Sequence, residues 1–143
     1  MKIRGLLIAT VAAASMLGFS ASAMAADYAI VLKTLSNPFW VQMKDGIEAK
    51  AKELGVEVDI VASPSEEDFQ AQLQLFEDML NRDYKGFGFA PLSPVNLVNP
   101  AAAAYKKGKP IVNIDEKVDM KALEAAGANV EAFVTTDNVK VGE

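Results

Sequence analysis

Five short apolar runs, each separated from the next by a segment long enough for a helix or a tight loop, constrain this chain more than any other feature. They are Tyr28–Lys33, Val56–Ala62, Gly86–Ala90, Pro110–Asp115 and Ala132–Thr135. The first is continuously apolar rather than alternating, as expected of a strand buried on both faces. From Phe39 the period changes. Met43, Ile47, Ala51 and Leu54 share one helical face, Lys44, Asp45, Glu48, Lys52 and Glu53 cover the rest, and Gly55 supplies the stop. Ser65 before Glu66-Glu67-Asp68 reads as an N-cap with an acidic first turn, followed by the stripe Phe69, Leu73, Phe76 and Leu80. Ser93-Pro94 reads as N-cap and first residue of a third helix ending at Lys106-Lys107-Gly108, with Pro100 expected to kink or shorten it. Lys121–Ala126 is a short fourth helix. Alternation of this kind predicts an α/β fold, an open parallel sheet with helices on both faces.

The first 25 residues read as an export signal. Lys2 and Arg4 precede an apolar run from Gly5 to Phe19, and Ala23-Met24-Ala25 is a small-x-small cleavage site. As a membrane anchor the run falls short of the roughly 20 residues a bilayer requires. Removing the leader from the 143 residues leaves 118, with 12 basic against 19 acidic side chains and a net charge of −7. An acidic domain without a basic cluster is a poor nucleic-acid binder, so no nucleic-acid partner is expected. The absence of cysteine leaves core burial to hold the domain, which is sufficient at this size and compatible with a bacterial periplasm.

Enzyme chemistry finds little support. With no His and no Cys, the common acid–base residue, thiolate chemistry and the usual zinc ligands are missing. Gly86-Phe87-Gly88 runs into Pro91 where a dinucleotide fingerprint needs a third glycine, and there is no phosphate-loop Gly-Lys-Ser or Gly-x-Ser-x-Gly elbow. No cofactor or metal is expected. Asp115-Glu116 is a carboxylate pair, but neighbours on extended chain point opposite ways. Glu66-Glu67-Asp68 reads as a solvated helix start.

Ligands of open parallel sheets bind beyond the carboxyl ends of the strands. There the stretch Leu35-Ser36-Asn37-Pro38-Phe39-Trp40 sets two aromatics, one of them the only Trp, beside an amide. Two readings stand. Phe39 and Trp40 open the first helix and pack on the sheet, or they form the wall of a sugar site, offering a plane to the C–H face of a pyranose. In the second reading Asn37 and Asp115 serve the hydroxyl rim and Lys33 adds a donor. A Trp40 that lines such a site is partly exposed in a lobe standing alone; a Trp40 in the core is protected.

YAIVLKTLSNPFWVQMKDGIEAKAKELGVEVDI, with SPSEEDFQAQLQLFEDML, FAPLSPVNLV, VNIDEKVD and VEAFVTTDN after it, resembles periplasmic sugar-binding proteins of the ribose/galactose group, the type I periplasmic binding proteins. The resemblance spans the mature chain. It implies that Asn37, Phe39 and Trp40 stack and hook a sugar, that Asp115 grips its hydroxyls, and that Lys33 joins them. Ribose-type members carry Asp-Arg at the end of the fourth strand, whereas this chain has Asp115-Glu116. That weakens a ribose assignment and makes Glu116 a second-tier candidate; the resemblance itself implies D-allose or a similar aldohexose as ligand, with ribose or another pentose or hexose as the alternative. The implied function is the substrate-binding component of an ABC-type sugar importer, not an enzyme, with a monosaccharide ligand, a membrane permease as partner, and a monomeric full-length form. Residues 26–137 would form the first of two lobes, and residues 138–143 would begin the crossing to the second. The alternative of another class, the sensing domain of a lactose-repressor-type regulator, is opposed by the export signal and the lack of an N-terminal helix-turn-helix; a small α/β hydrolase ranks third. Export predicts a mature N-terminus at Ala26, which mass spectrometry of periplasmic protein would show; a membrane-bound product retaining Met1 would overturn it.

Overall fold

The computed structural model describes residues 25–137 and Lys140; the leader and the start of a crossing expected from the sequence lie outside the described residues. Five strands, β1 (Tyr28–Thr34), β2 (Val58–Ser63), β3 (Gly86–Phe89), β4 (Ile111–Ile114) and β5 (Ala132–Val134), pair in parallel in the order β2-β1-β3-β4-β5. Four helices connect them: α1 (Pro38–Leu54), α2 (Phe69–Met79), α3 (Val98–Lys106) and α4 (Met120–Ala125). The expected open parallel sheet with helices on both faces is what forms. The order adds what alternation leaves open. From β1 the chain moves one way to β2, then hops back over β1 to β3, so the switch in direction falls between β1 and β3.

The two sheet faces are covered unequally. Ala29 and Val31 of β1, Phe87 and Phe89 of β3 and Ile111 of β4 join α2, α3 and α4 in the larger core. Phe76 of α2 is fully buried there, its ring centroid 5.6 and 5.8 Å from those of Phe87 and Phe89. On the opposite face, among the described residues, α1 alone packs down, with Trp40, Met43 and Ile47 against Leu32 and Ala90. Beside α1 an open apolar groove of about 470 Å³ runs over Ile30, Val58, Gly88 and Val112. Gly88 lets its neighbours meet: a Cβ there would lie 3.3 and 3.4 Å from the side chains of Ile114 and Ile30.

Helix boundaries depart from the sequence reading in three places. Asn37, not Phe39, sets the start of α1: it is the N-cap, its Oδ1 accepts from the Phe39 N–H at 3.1 Å, and Pro38 follows at N1. Asp68 rather than Ser65 caps α2, accepting from the Ala71 N–H at 3.0 Å. Ser93-Pro94 opens a turn rather than α3. Ser93 and Asn96 exchange backbone-to-side-chain bonds of 3.0 and 3.2 Å, and the helix begins at Val98. Pro100 thereby falls in the first turn, where a helix lacks partners for its N–H groups, so it shortens α3 without having to break it.

One buried amide joins the layers near the strand ends. Gln72 of α2, fully buried, donates through Nε2 to the Leu32 carbonyl (3.2 Å) and the Ala90 carbonyl (2.8 Å). Its Oε1 accepts from the Leu92 N–H (3.0 Å) and Asn96 Nδ2 (2.7 Å). All four bonding positions of the amide are used, and together they hold the exits of β1 and β3 in register. Gln72→Leu keeps the volume and strips every bond, leaving buried partners unpaired. It is expected to destabilise the full-length protein by at least ~2 kcal/mol, read as a lower urea midpoint at unchanged slope.

Candidate functional site

The carboxyl ends of β1, β3 and β4 converge at the switch point, and β1 delivers Lys33 there through an irregularity. Leu32 pairs with Ala62 but Thr34 pairs with Ser63, so Lys33 is the extra residue of a bulge. A bulge re-aims a side chain out of the regular alternation. The Lys33 side chain, 13% exposed, lies along the sheet's end and its ammonium reaches Asp115 Oδ2 at 3.2 Å and Glu116 Oε2 at 3.6 Å. It also sits 5.6 Å from the centroid of the Trp40 ring, a cation–π contact.

The carboxylate pair corrects the sequence reading. Asp115 is not extended: its φ is 63°, the one positive value outside glycine among the described residues. Aspartate tolerates this left-handed conformation better than most residues. The turn swings Asp115 and Glu116 to the same ammonium instead of opposite sides. Asn113, fully buried in β4, shapes that turn. Its Nδ2 donates to the Glu116 carbonyl at 2.8 Å and its Oδ1 accepts from the Val118 N–H at 2.9 Å. The Asp115 N–H donates to the Val134 carbonyl at 2.8 Å, fixing the turn to β5.

The aromatic pair divides its roles. Phe39 is 42% exposed, while Trp40 is 3% exposed and belongs to the α1-side core. The rings meet edge to face, 5.0 Å between centroids at 89°. A Trp40 partly open to solvent in this lobe is therefore not what the structure shows; Phe39 is the ring that faces outward. Asn37 stands beside them, its Nδ2 donating to Glu66 Oε1 at 3.1 Å. The Trp40 Nε1–H donates to the same oxygen at 3.2 Å.

Glu66 is solvent-exposed just before α2, as read from the sequence, and in addition its carboxylate accepts from two side chains. The structure brings Lys33, Asp115, Glu116 and Trp40 into direct contact, joins Asn37 to Trp40 through Glu66, and sets Phe39 against Trp40. Sequence reasoning missed Glu66, Asn113 and Thr34. Thr34, buried at the end of β1, accepts from the Ser36 N–H at 3.2 Å and so folds the loop toward Asn37. Only the Asn37-Pro38 pair carried an overlooked local signal, that of an N-cap and N1. Among the described residues no cluster of three His, Cys, Asp or Glu is arranged to hold a metal ion.

An open five-stranded parallel sheet with a polar, acidic cluster at its switch point defines an α/β fold of the kind that binds ligands at its strand ends. Residues 28–143 match the family described as periplasmic binding protein domain, and the chain belongs to that family. It is 71% identical over 127 residues to the D-allose-binding periplasmic protein of Escherichia coli K12, covering 89% of this chain and 40% of that protein. It is 34% identical over 128 residues to a ribose import binding protein of Haemophilus influenzae, covering 89% and 41%. A solved periplasmic solute-binding protein of Actinobacillus succinogenes with bound D-allose is similar at TM-score 0.65 and 27% identity, over 73% of this chain and 36% of that one. The chain spans about 40% of the length of these curated relatives.

Trp40 is the only Trp of the chain, so its fluorescence reports on this site directly. Its burial predicts a blue-shifted emission and slow quenching by acrylamide and iodide in the folded chain. A red-shifted, freely quenched Trp40 would contradict its place beneath Lys33.

Proposed function

We propose that this chain is the first lobe of a periplasmic receptor that binds D-allose or a similar aldohexose and presents it to the permease of an ABC-type importer. It binds the sugar without transforming it. The carrying observation is the convergence of Asp115 and Glu116 on Lys33 beside the exposed ring of Phe39. Two carboxylates form a rim rich in acceptors, and hydroxyl groups are donors that such a rim takes up. Lys33 holds both carboxylates in place and keeps donor capacity of its own. Phe39 offers a flat apolar surface to the C–H face of a pyranose. The excess of negative charge at the rim disfavours phosphorylated or acidic sugars, because like charges repel at these distances. The relatives support the same reading: the 71% identical protein is named for D-allose, and the solved neighbour holds D-allose. Ribose is the second reading, supported by the name of the 34% identical relative.

The receptor is exported to the periplasm, acts as a monomer and has no nucleic-acid partner. Its second lobe supplies the opposite wall. A single open rim leaves one face of the sugar in water, where each neutral hydrogen bond nets only ~0.5–1.5 kcal/mol. Association itself costs roughly 4 kcal/mol or more, so closure between two lobes is what makes binding tight.

Asp115 gives the direct test. Asp115→Asn preserves the left-handed turn, which Asn also tolerates, and removes the charged acceptor. In the full-length protein, calorimetry is expected to show at least a roughly tenfold rise in Kd for D-allose, about 1.4 kcal/mol, with the urea midpoint little changed. Unchanged affinity would remove Asp115 from the site. Residues 26–143 alone are expected to bind weakly or not at all, and micromolar affinity there would show that one lobe suffices.

A further inference from the structure

Glu66, exposed, lies in the loop between β2 and α2, at the same carboxyl edge of the parallel sheet as Lys33 and Asp115. We propose that it is a positioning residue for sugar binding, whose carboxylate locks the Asn37 amide and the Trp40 indole in the orientation the rim and the wall require. The proposal rests on the sugar-binding reading above.

Three features carry it. One oxygen, Glu66 Oε1, accepts from both Asn37 Nδ2 (3.1 Å) and Trp40 Nε1 (3.2 Å). The Trp40 ring is 3% exposed, and a buried indole N–H requires an acceptor. Among the described residues Glu66 is the acceptor it has. The second feature is the fixed sense of the Asn37 amide. Oδ1 caps α1 at the Phe39 N–H and Nδ2 faces Glu66, so a flipped amide would set NH2 against an N–H and oxygen against a carboxylate. Both contacts would be repulsive, and Glu66 thereby decides which polar atom of Asn37 can turn to a ligand.

The third is the route onward. Trp40 carries the Lys33 ammonium over its ring and meets the Phe39 ring in a T-shaped contact. Lys33 in turn holds Asp115 and Glu116. A shift of the indole therefore moves both the exposed wall and the cation beneath the rim. Among the described residues the side chain of the adjacent Glu67 has no such link; its backbone N–H donates to Ser65 Oγ at 3.4 Å and its carbonyl accepts from the Phe69 N–H at 3.1 Å.

The test combines D-allose titration of the full-length protein with the ¹⁵N–¹H signal of the Trp40 indole, assigned by its loss in Trp40→Phe. Glu66→Ala is expected to weaken binding by roughly tenfold and to move the indole signal upfield, since the charge-assisted bond to the N–H is gone. Glu66→Gln keeps a carbonyl that accepts from both donors and is expected to stay within about threefold of wild type, because a neutral acceptor retains the geometry at lower strength. Glu67→Ala is expected to change neither readout. Should Glu66→Ala fail to fold, Glu66→Asp, one methylene short of both donors, is expected to show the same loss in weaker form.

The proposal is overturned if the Ala variant, or the Asp variant in its place, binds D-allose like wild type. It is overturned equally if Glu66→Gln loses as much as Glu66→Ala, which would make the charge itself the ligand's partner. Wild-type protein without affinity for D-allose or ribose would sink the sugar-binding reading as a whole. Binding that falls with Asp115→Asn but ignores Glu66→Ala would sink only the role given to Glu66.

Discussion

Parallel pairing of β1 with both β2 and β3 is the constraint on which the rest of this fold depends. A parallel neighbour is reached only by carrying the chain back over the sheet, so every connection is a helix-bearing crossover. All strand ends of one kind then open on one edge, and the loops there are free of the work of turning a hairpin. Because β1 feeds β2 on one side while β3 lies on the other, the loops after β1 and β3 part company. The gap between them is where Lys33, the Asn37–Trp40 segment and the Asp115 turn meet.

What fills that gap is one connected polar network rather than a set of separate side chains. From the β2–α2 loop it runs through Glu66 to Trp40 and Asn37, through the Trp40 face to Lys33, and from Lys33 to the β4 turn. The single cation lies between carboxylates, which keeps the acidic rim from repelling itself apart. Buried amides stand behind the network. Gln72 holds the exits of β1 and β3, and Asn113 shapes the turn that presents Asp115. Satisfied amides of this kind are rigid because every alternative leaves a buried group unpaired. The hold behind the site contrasts with the α1 side, where among the described residues a single helix covers the sheet and an apolar groove remains.

The fold was legible in the sequence because its determinants are local. Continuous apolar runs such as Tyr28–Leu32 and helical stripes such as Phe69, Leu73 and Phe76 declare their periods within a few residues. Errors fell at helix starts, where several residues compete to cap. Ser65 lost to Asp68, and Ser93 capped a turn of its own, since capping depends on which side chain finds free N–H groups after the loop has been positioned. The site was legible in part. The residues of the LSNPFW stretch and the β4 end were singled out by residue type and by the rule for strand ends, and by the resemblance that they carry.

By itself the sequence determined the class of fold, the strand and helix order, and the acidic, disulfide-free character of the chain. It also marked the strand-end edge that carries the candidate site. Tertiary structure alone decided which way side chains at that edge point. Lys33 is re-aimed by a bulge that exists only in the pairing of β1 with β2. Asp115 and Glu116 converge because the chain turns left-handed at Asp115 under the hold of Asn113 and Val134. Trp40 is buried and Phe39 exposed, though they are neighbours of similar apolarity, because α1 turns one ring to the sheet and the other to solvent. Glu66 reaches Asn37 and Trp40 across 29 and 26 residues of chain. Contacts at that separation leave no periodic trace in the sequence; they arise only once crossovers have brought distant loops to the same edge.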